Sequence, residues 1–148
     1  MIPTVVMATT LLISPGLPRP PFDGRVYVLS QDDRWGAYLS APDQTAPNVR
    51  TAWSWSVWLT RDGSLLIDAF LNEYDCDTSQ FRRVRQERFR EDGLYDTRVS
   101  EGGFRSPHWL DMEGRLMEEV CRDTYLTLPQ TENIHAAVAE LTSGRSSS

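Results

Sequence analysis

A chain of 148 residues in which 40% are hydrophobic can fill one ordinary core and is short for two. Its formal net charge of -6 argues against nucleic acid as a partner, because binding phosphates needs clustered positive charge above the background. All 15 basic residues are arginine, which fits the codon usage of a GC-rich genome and still leaves single guanidinium groups able to fork onto carboxylates.

The chain opens with an apolar stretch, Val5, Val6, Met7, Leu11, Leu12 and Ile13, broken by Ser14, Pro15 and Gly16. It falls short of the roughly 20 apolar residues that span a bilayer and fits the core of a secretion signal, so no integral membrane span is expected. No Lys or Arg precedes it and no Ala-x-Ala follows it, and an N-terminal strand of a cytosolic protein is the competing reading. The four prolines between Ser14 and Asp23 exclude helix and central strand, so residues 1–24 read as a signal-like segment and a linker.

Folded structure is expected from Arg25. Val26 to Leu29 and Trp35 to Ser40 are short strand-forming runs, and Asp43 to Arg50, with Pro47, reads as a loop. Thr51 to Thr60 alternates clearly, with Trp53, Trp55, Val57 and Leu59 on one face and Ser54, Ser56, Trp58 and Thr60 on the other. Arg61, Asp62 and Gly63 supply a turn, so Ser64 to Cys76 should return as the hairpin partner, partly covered on both faces.

In Phe81 to Arg90 periodicity leaves helix and strand open: Phe81, Arg85 and Phe89 fit a helical face, and Phe81, Arg83, Arg85, Glu87 and Phe89 fit a strand face. A turn at Glu91, Asp92 and Gly93 followed by a strand-like run, Leu94 to Ser100, favours strand. About six strands result. A helix is expected from Asp111 to about Arg122, with Asp111 as N-cap and Met112, Leu116, Met117, Val120 and Cys121 on one stripe. Gly114 lowers its propensity by roughly 1 kcal/mol, so docking must hold it. Ile134, Val138 and Leu141 suggest a second helix, and Thr142 to Ser148 reads as a disordered tail. The domain boundaries expected are therefore 25–128 for the folded unit and 129–148 for a helix and tail.

Cys76 and Cys121 are the two cysteines. In an oxidising compartment such a pair is normally bridged; in the cytosol both would be buried thiols. The order Trp53-Ser-Trp-Ser-Val-Trp-Leu, Glu73-Tyr-Asp-Cys76, the arginine-rich run Phe81 to Arg90, Trp109 and Glu119-Val-Cys121 resembles the surface-adhesin protein E family. The resemblance covers about Val26 to Arg122. It implies an α+β, mainly β fold: a curved antiparallel sheet with the helix around Leu116 to Cys121 disulfide-tethered to its concave face. It also implies an exported periplasmic or cell-surface protein that binds extracellular proteins such as vitronectin and laminin, through a segment corresponding to Cys76 to Asp92.

Residue chemistry points away from an enzyme. His108 and His135 have no ligand-like spacing, and there is no Gly-x-Ser-x-Gly elbow, phosphate loop or His-Glu-x-x-His helix. No catalytic residues, no metal and no cofactor are expected; Asp75 and Asp77 fit a solvated strand end. The candidate binding residues are Arg82, Arg83, Arg85, Arg88 and Arg90, a positive stripe diluted by Glu87, Glu91 and Asp92, and Trp58, the tryptophan facing away from Trp53 and Trp55. Against them stand charges paired to neighbouring strands and aromatics committed to the core. The partner expected is an extracellular or envelope protein; a structural envelope component and an intracellular small-ligand domain are the alternatives.

Overall fold

A computed structural model describes residues 24–90, 93–100 and 102–146. The signal-like segment and linker expected over residues 1–24 lie outside them except for Gly24, as do Glu91 and Asp92 of the expected turn.

Eight strands form one antiparallel sheet among the described residues. They are β1 (Val26–Gln31), β2 (Trp35–Ser40), β3 (Asp43–Ala46), β4 (Val49–Leu59), β5 (Leu65–Asp75), β6 (Gln80–Arg90), β7 (Gly93–Val99) and β8 (Gln130–Thr131). Their spatial order is β7-β6-β5-β4-β2-β1-β8, with β3 paired to the first residues of β4. The sheet thus has eight strands where about six were expected, β3 and β8 lying outside the expected runs. β3 forms in a stretch read as loop because Pro47 falls in the turn and not in a ladder, where its missing N–H would matter. The Pro47 carbonyl accepts a hydrogen bond from Gln44 Nε2 there, at 3.0 Å.

The β4–β5 hairpin is in register from Leu59 opposite Leu65 to Val49 opposite Asp75, as the alternation of both strands requires. β6 is a strand throughout, and it carries a bulge. Arg85 lies opposite Leu71 and Arg83 opposite Asn72, so Val84 faces no partner residue on β5. One extra residue inverts the side-chain parity of everything before it. Phe81 and Phe89 therefore point to opposite faces, although both are odd-numbered. The single strand face expected for Phe81, Arg83, Arg85, Glu87 and Phe89 does not exist.

Both faces of the sheet are covered. On one, Leu116, Met117 and Val120 of α1 (Met112–Cys121) pack on Leu29, Ala37, Leu39, Ala52, Tyr74 and Phe81. On the other, Ile134, Ala137, Val138 and Leu141 of α2 (Ile134–Ser146) pack on Tyr38, Trp55, Val57, Ile67, Ala69 and Phe89. β4 and β5 supply alternate residues to the two layers, which is why Ser64 to Cys76 reads as apolar on both sides.

The folded unit continues past residue 128. Asn133 Oδ1 accepts from the Ala136 N–H at 2.9 Å and caps α2, whose buried residues recur at the i, i+3, i+4, i+7 spacing of one helical face. Thr142 to Ser146, expected as disordered, continue α2, and the Thr142 hydroxyl donates back to the Val138 carbonyl at 2.9 Å. Among the described residues no helix is long and apolar enough to cross a membrane.

α1 is the element with least local support. Asp111 occupies its N-cap position without a side-chain capping bond, and Gly114 lies inside it. Gly114 is there for contact: a Cβ would stand 2.7 Å from Trp109 Cα and 2.8 Å from the His108 carbonyl oxygen, both backbone atoms that cannot swing away. Gly114→Ala should therefore destabilise by about 1–3 kcal/mol, although helix propensity alone predicts a gain of about 1 kcal/mol. Equilibrium urea unfolding of the two proteins fixes the sign.

At its other end α1 is held covalently. Cys121 is bridged to Cys76 just beyond β5, with Cα atoms 5.4 Å apart and a sequence separation of 45. Arg50 adds a second tie, donating to the Val120 carbonyl at 2.6 Å and pairing with Asp123.

Candidate functional site

The bulge at Val84 divides the arginine stripe. Arg83, Arg88 and Arg90 stand on the α1 face of the sheet, and Arg82 and Arg85 on the α2 face. Carboxylates accompany four of them. Arg82 pairs with Glu73, Arg85 with Glu87 at 3.1 Å, Arg88 with Asp68 at 3.2 Å and Arg83 with Glu113 of α1 at 3.6 Å. Pairs between partly exposed groups contribute about 0–1 kcal/mol each, so they set the local charge more than the stability.

On the α1 face the register gathers several of these residues in rows across the strands. Trp35 of β2, Trp58 of β4, Leu66 of β5 and Arg90 of β6 are successive cross-strand neighbours. The next row along the sheet contains Ala37, Ser56, Asp68 and Arg88. α1 packs over this face against Leu29, Ala37, Leu39, Ala52, Tyr74 and Phe81, with Trp35 against the same cluster, and Trp58 remains 37% exposed. Trp53 and Trp55 lie on the opposite face with their rings stacked 6.5 Å apart. Trp58 is thus the outward tryptophan of β4, as the alternation requires.

Arg83 lies on the α1 face beside Phe70 and Asn72. Its guanidinium lies over the Phe70 ring at 4.1 Å, and its Nε donates to Asn72 Oδ1 at 3.4 Å. Burial lowers the pKa of Arg83, and the Glu113 carboxylate opposes that shift. Arg105, from the loop before α1, shares Glu113 at 3.3 Å and lies over the Phe81 ring. Asp68 is shifted upward by burial, opposed by Arg88 and Arg83. Sequence reading missed Arg105, Glu113 and Asp68, because their meeting depends on the bulge and on how α1 docks.

Behind this network Asn72 Nδ2 donates to the hydroxyl of fully buried Tyr74 at 3.1 Å. Burial raises the Tyr74 phenol from its ordinary 10.0 to about 12. A group whose pKa is raised by folding contributes stability below its unfolded pKa and loses it as pH rises through its folded one. The protein should therefore lose about 2–3 kcal/mol from this residue between about pH 10 and about pH 12. Tyr74→Phe should flatten that alkaline limb in denaturant melts taken across the range.

The turn at Asp75 to Ser79 has a structural assignment. Asp75 Oδ1 accepts from the Asp77 and Thr78 N–H groups at 3.1 and 3.2 Å, closing the β5–β6 connection beside Cys76. Among the described residues no cluster of three or more His, Cys, Asp or Glu is placed to hold a metal ion.

A cavity of about 190 Å³ lies between the sheet and the N-terminal half of α1, lined by Leu29, Ala37, Ser54, Ser56, Phe70 and Arg83 and roofed by Met112, Glu113 and Leu116. Ser54 is 4% exposed, and its Oγ has no hydrogen-bond partner among the described residues.

No protein-family model matches the chain, and no curated protein or solved structure matches it at a significant level.

Proposed function

We propose that this chain is an exported, non-enzymatic binding module of the surface-adhesin E type, acting in the periplasm or at the cell surface on a protein ligand. The observation that carries this reading is the Cys76–Cys121 bridge. Disulfides of this structural kind persist in oxidising compartments and are rare in the cytosol, which favours the secretion-signal reading of the first residues. In this reading the α1 face is the concave face of the sheet.

The ligand docks at the margin of the α1 cluster, where Trp35 packs, on Trp58, Leu66 and Arg90 with Arg88 beside them. Tryptophan and arginine are the residue types that dominate binding energy in protein interfaces, and here they are adjacent on rigid strands. Because Arg88 is paired with Asp68 and Arg83 with Glu113, a partner is read by its shape and apolar contacts more than by net negative charge.

Two measurements test this. Residues 1–24 fused to a reporter should direct export, and retention of the reporter in the cytosol contradicts the assignment. Trp58→Ala should keep the fold at a loss of about 1–2 kcal/mol, since the side chain is already 37% exposed. The same change should weaken binding to immobilised vitronectin or laminin at least about 10-fold. Global unfolding of the variant would make Trp58 a packing residue; unchanged binding would remove it from the interface.

A further inference from the structure

The cavity under α1 is built from two kinds of surface. Leu29, Ala37, Phe70, Met112 and Leu116 give it apolar walls, while Ser54, Ser56, Arg83 and Glu113 bring polar groups to it. A buried hydroxyl without a partner is uncommon in a folded protein and calls for an explanation. Arg83 supplies further donors: its Nε is engaged by Asn72, and its nearest carboxylate, Glu113, stands at 3.6 Å and is shared with Arg105. Of the charged groups in this network only Arg83 and Glu113 line the cavity, and the Glu113 oxygen near Arg83 is also drawn to Arg105 outside it.

Size narrows the ligand further. An apolar cavity of about 150 Å³ accepts benzene, so the space here holds a single ring or a short branched chain with one small polar group. Apolar enclosure with a few convergent polar groups is the usual form of a small-molecule site.

We propose that this cavity binds a small organic monocarboxylate with a compact apolar body, the carboxylate accepting hydrogen bonds from the Arg83 guanidinium and the Ser54 hydroxyl. The fork of the guanidinium matches a carboxylate, and with Glu113 shared by Arg105 the remaining Arg83 donors favour an anion over a neutral or cationic molecule of equal size. The site is separate from the Trp58 row and does not depend on the protein-binding reading.

The test titrates the intact, oxidised chain with benzoate, toluene and benzylamine while following backbone amide resonances. Benzoate should give saturable shifts at Ser54, Ser56 and Leu116, and the other two probes should bind at least about 10-fold more weakly. Ser54→Ala should weaken benzoate about 5-fold and Arg83→Gln about 10-fold or more. If Arg83→Gln does not fold, the three-probe comparison and Ser54→Ala decide. Toluene binding as well as benzoate overturns the carboxylate assignment. Absence of saturable shifts with all three probes, or shifts confined to residues outside the cavity, overturns the site.

Discussion

Cys76→Ala combined with Cys121→Ala, or full reduction of the wild type, is expected to lower stability by about 4 kcal/mol, because the bridge closes a loop of 45 residues whose freedom in the unfolded chain it removes. That is a large share of the 5–15 kcal/mol typical of a domain, so the reduced protein should lie near its unfolding threshold at physiological temperature. The loss should not be uniform. α1 has no side-chain N-cap bond, contains Gly114 and spans only ten residues, and an isolated helix of that length is marginal in water. Its remaining anchors are Leu116, Met117 and Val120 in the core and the Arg50 contact with the Val120 carbonyl. Hydrogen exchange should therefore show the amides of Met112–Cys121 deprotected before those of β4 and β5, whose ladders are intact on both sides. Equal deprotection of the whole sheet would show that the bridge holds the domain and not the helix.

The second large effect concerns the Val84 bulge. Phe81→Ala and Phe89→Ala should each cost about 3–5 kcal/mol, since the two rings are 0% and 3% exposed. They should act on different layers: Phe81→Ala deprotects α1, and Phe89→Ala deprotects α2, because the rings pack in separate clusters. Deleting Val84 removes the extra residue and leaves Arg83 opposite Asn72 and Phe81 opposite Tyr74 in an unbroken ladder, so both keep the α1 face. That deletion should therefore cost less than Phe81→Ala by urea unfolding. If both Phe variants deprotected the same helix, the bulge would not be the device that divides the strand.

The alternation of Thr51 to Thr60 and the turn at Arg61 to Gly63 specify the central hairpin from sequence alone, because both faces of β4 are read by a strict period of two. The stripe of α1 was equally visible, and so was the pairing partner of Cys76 once only two cysteines were counted. The bulge was not. Nothing in Arg82-Arg83-Val84-Arg85 distinguishes an extra residue from a regular one, and an arginine-rich strand has no apolar pattern to betray a change of face. For the same reason the five arginines read as one stripe, although Arg82 and Arg85 are separated by the sheet from Arg83, Arg88 and Arg90.

β8 was obscured by brevity. Two residues of strand carry no periodicity, and Gln130–Thr131 is held by pairing with Tyr27 and Val26, partners more than 100 residues away. Of the proposed binding surface, Trp58 was legible by parity. Its row with Trp35, Leu66 and Arg90 was not, since register across four strands follows from the hairpins jointly.

The most direct measurement is peptide mapping by mass spectrometry, under non-reducing conditions, of the protein recovered from the cell that naturally makes it. The account predicts one crosslinked species joining the peptides that contain Cys76 and Cys121, found in the exported fraction. Two free thiols on a protein retained in the cytosol would contradict it.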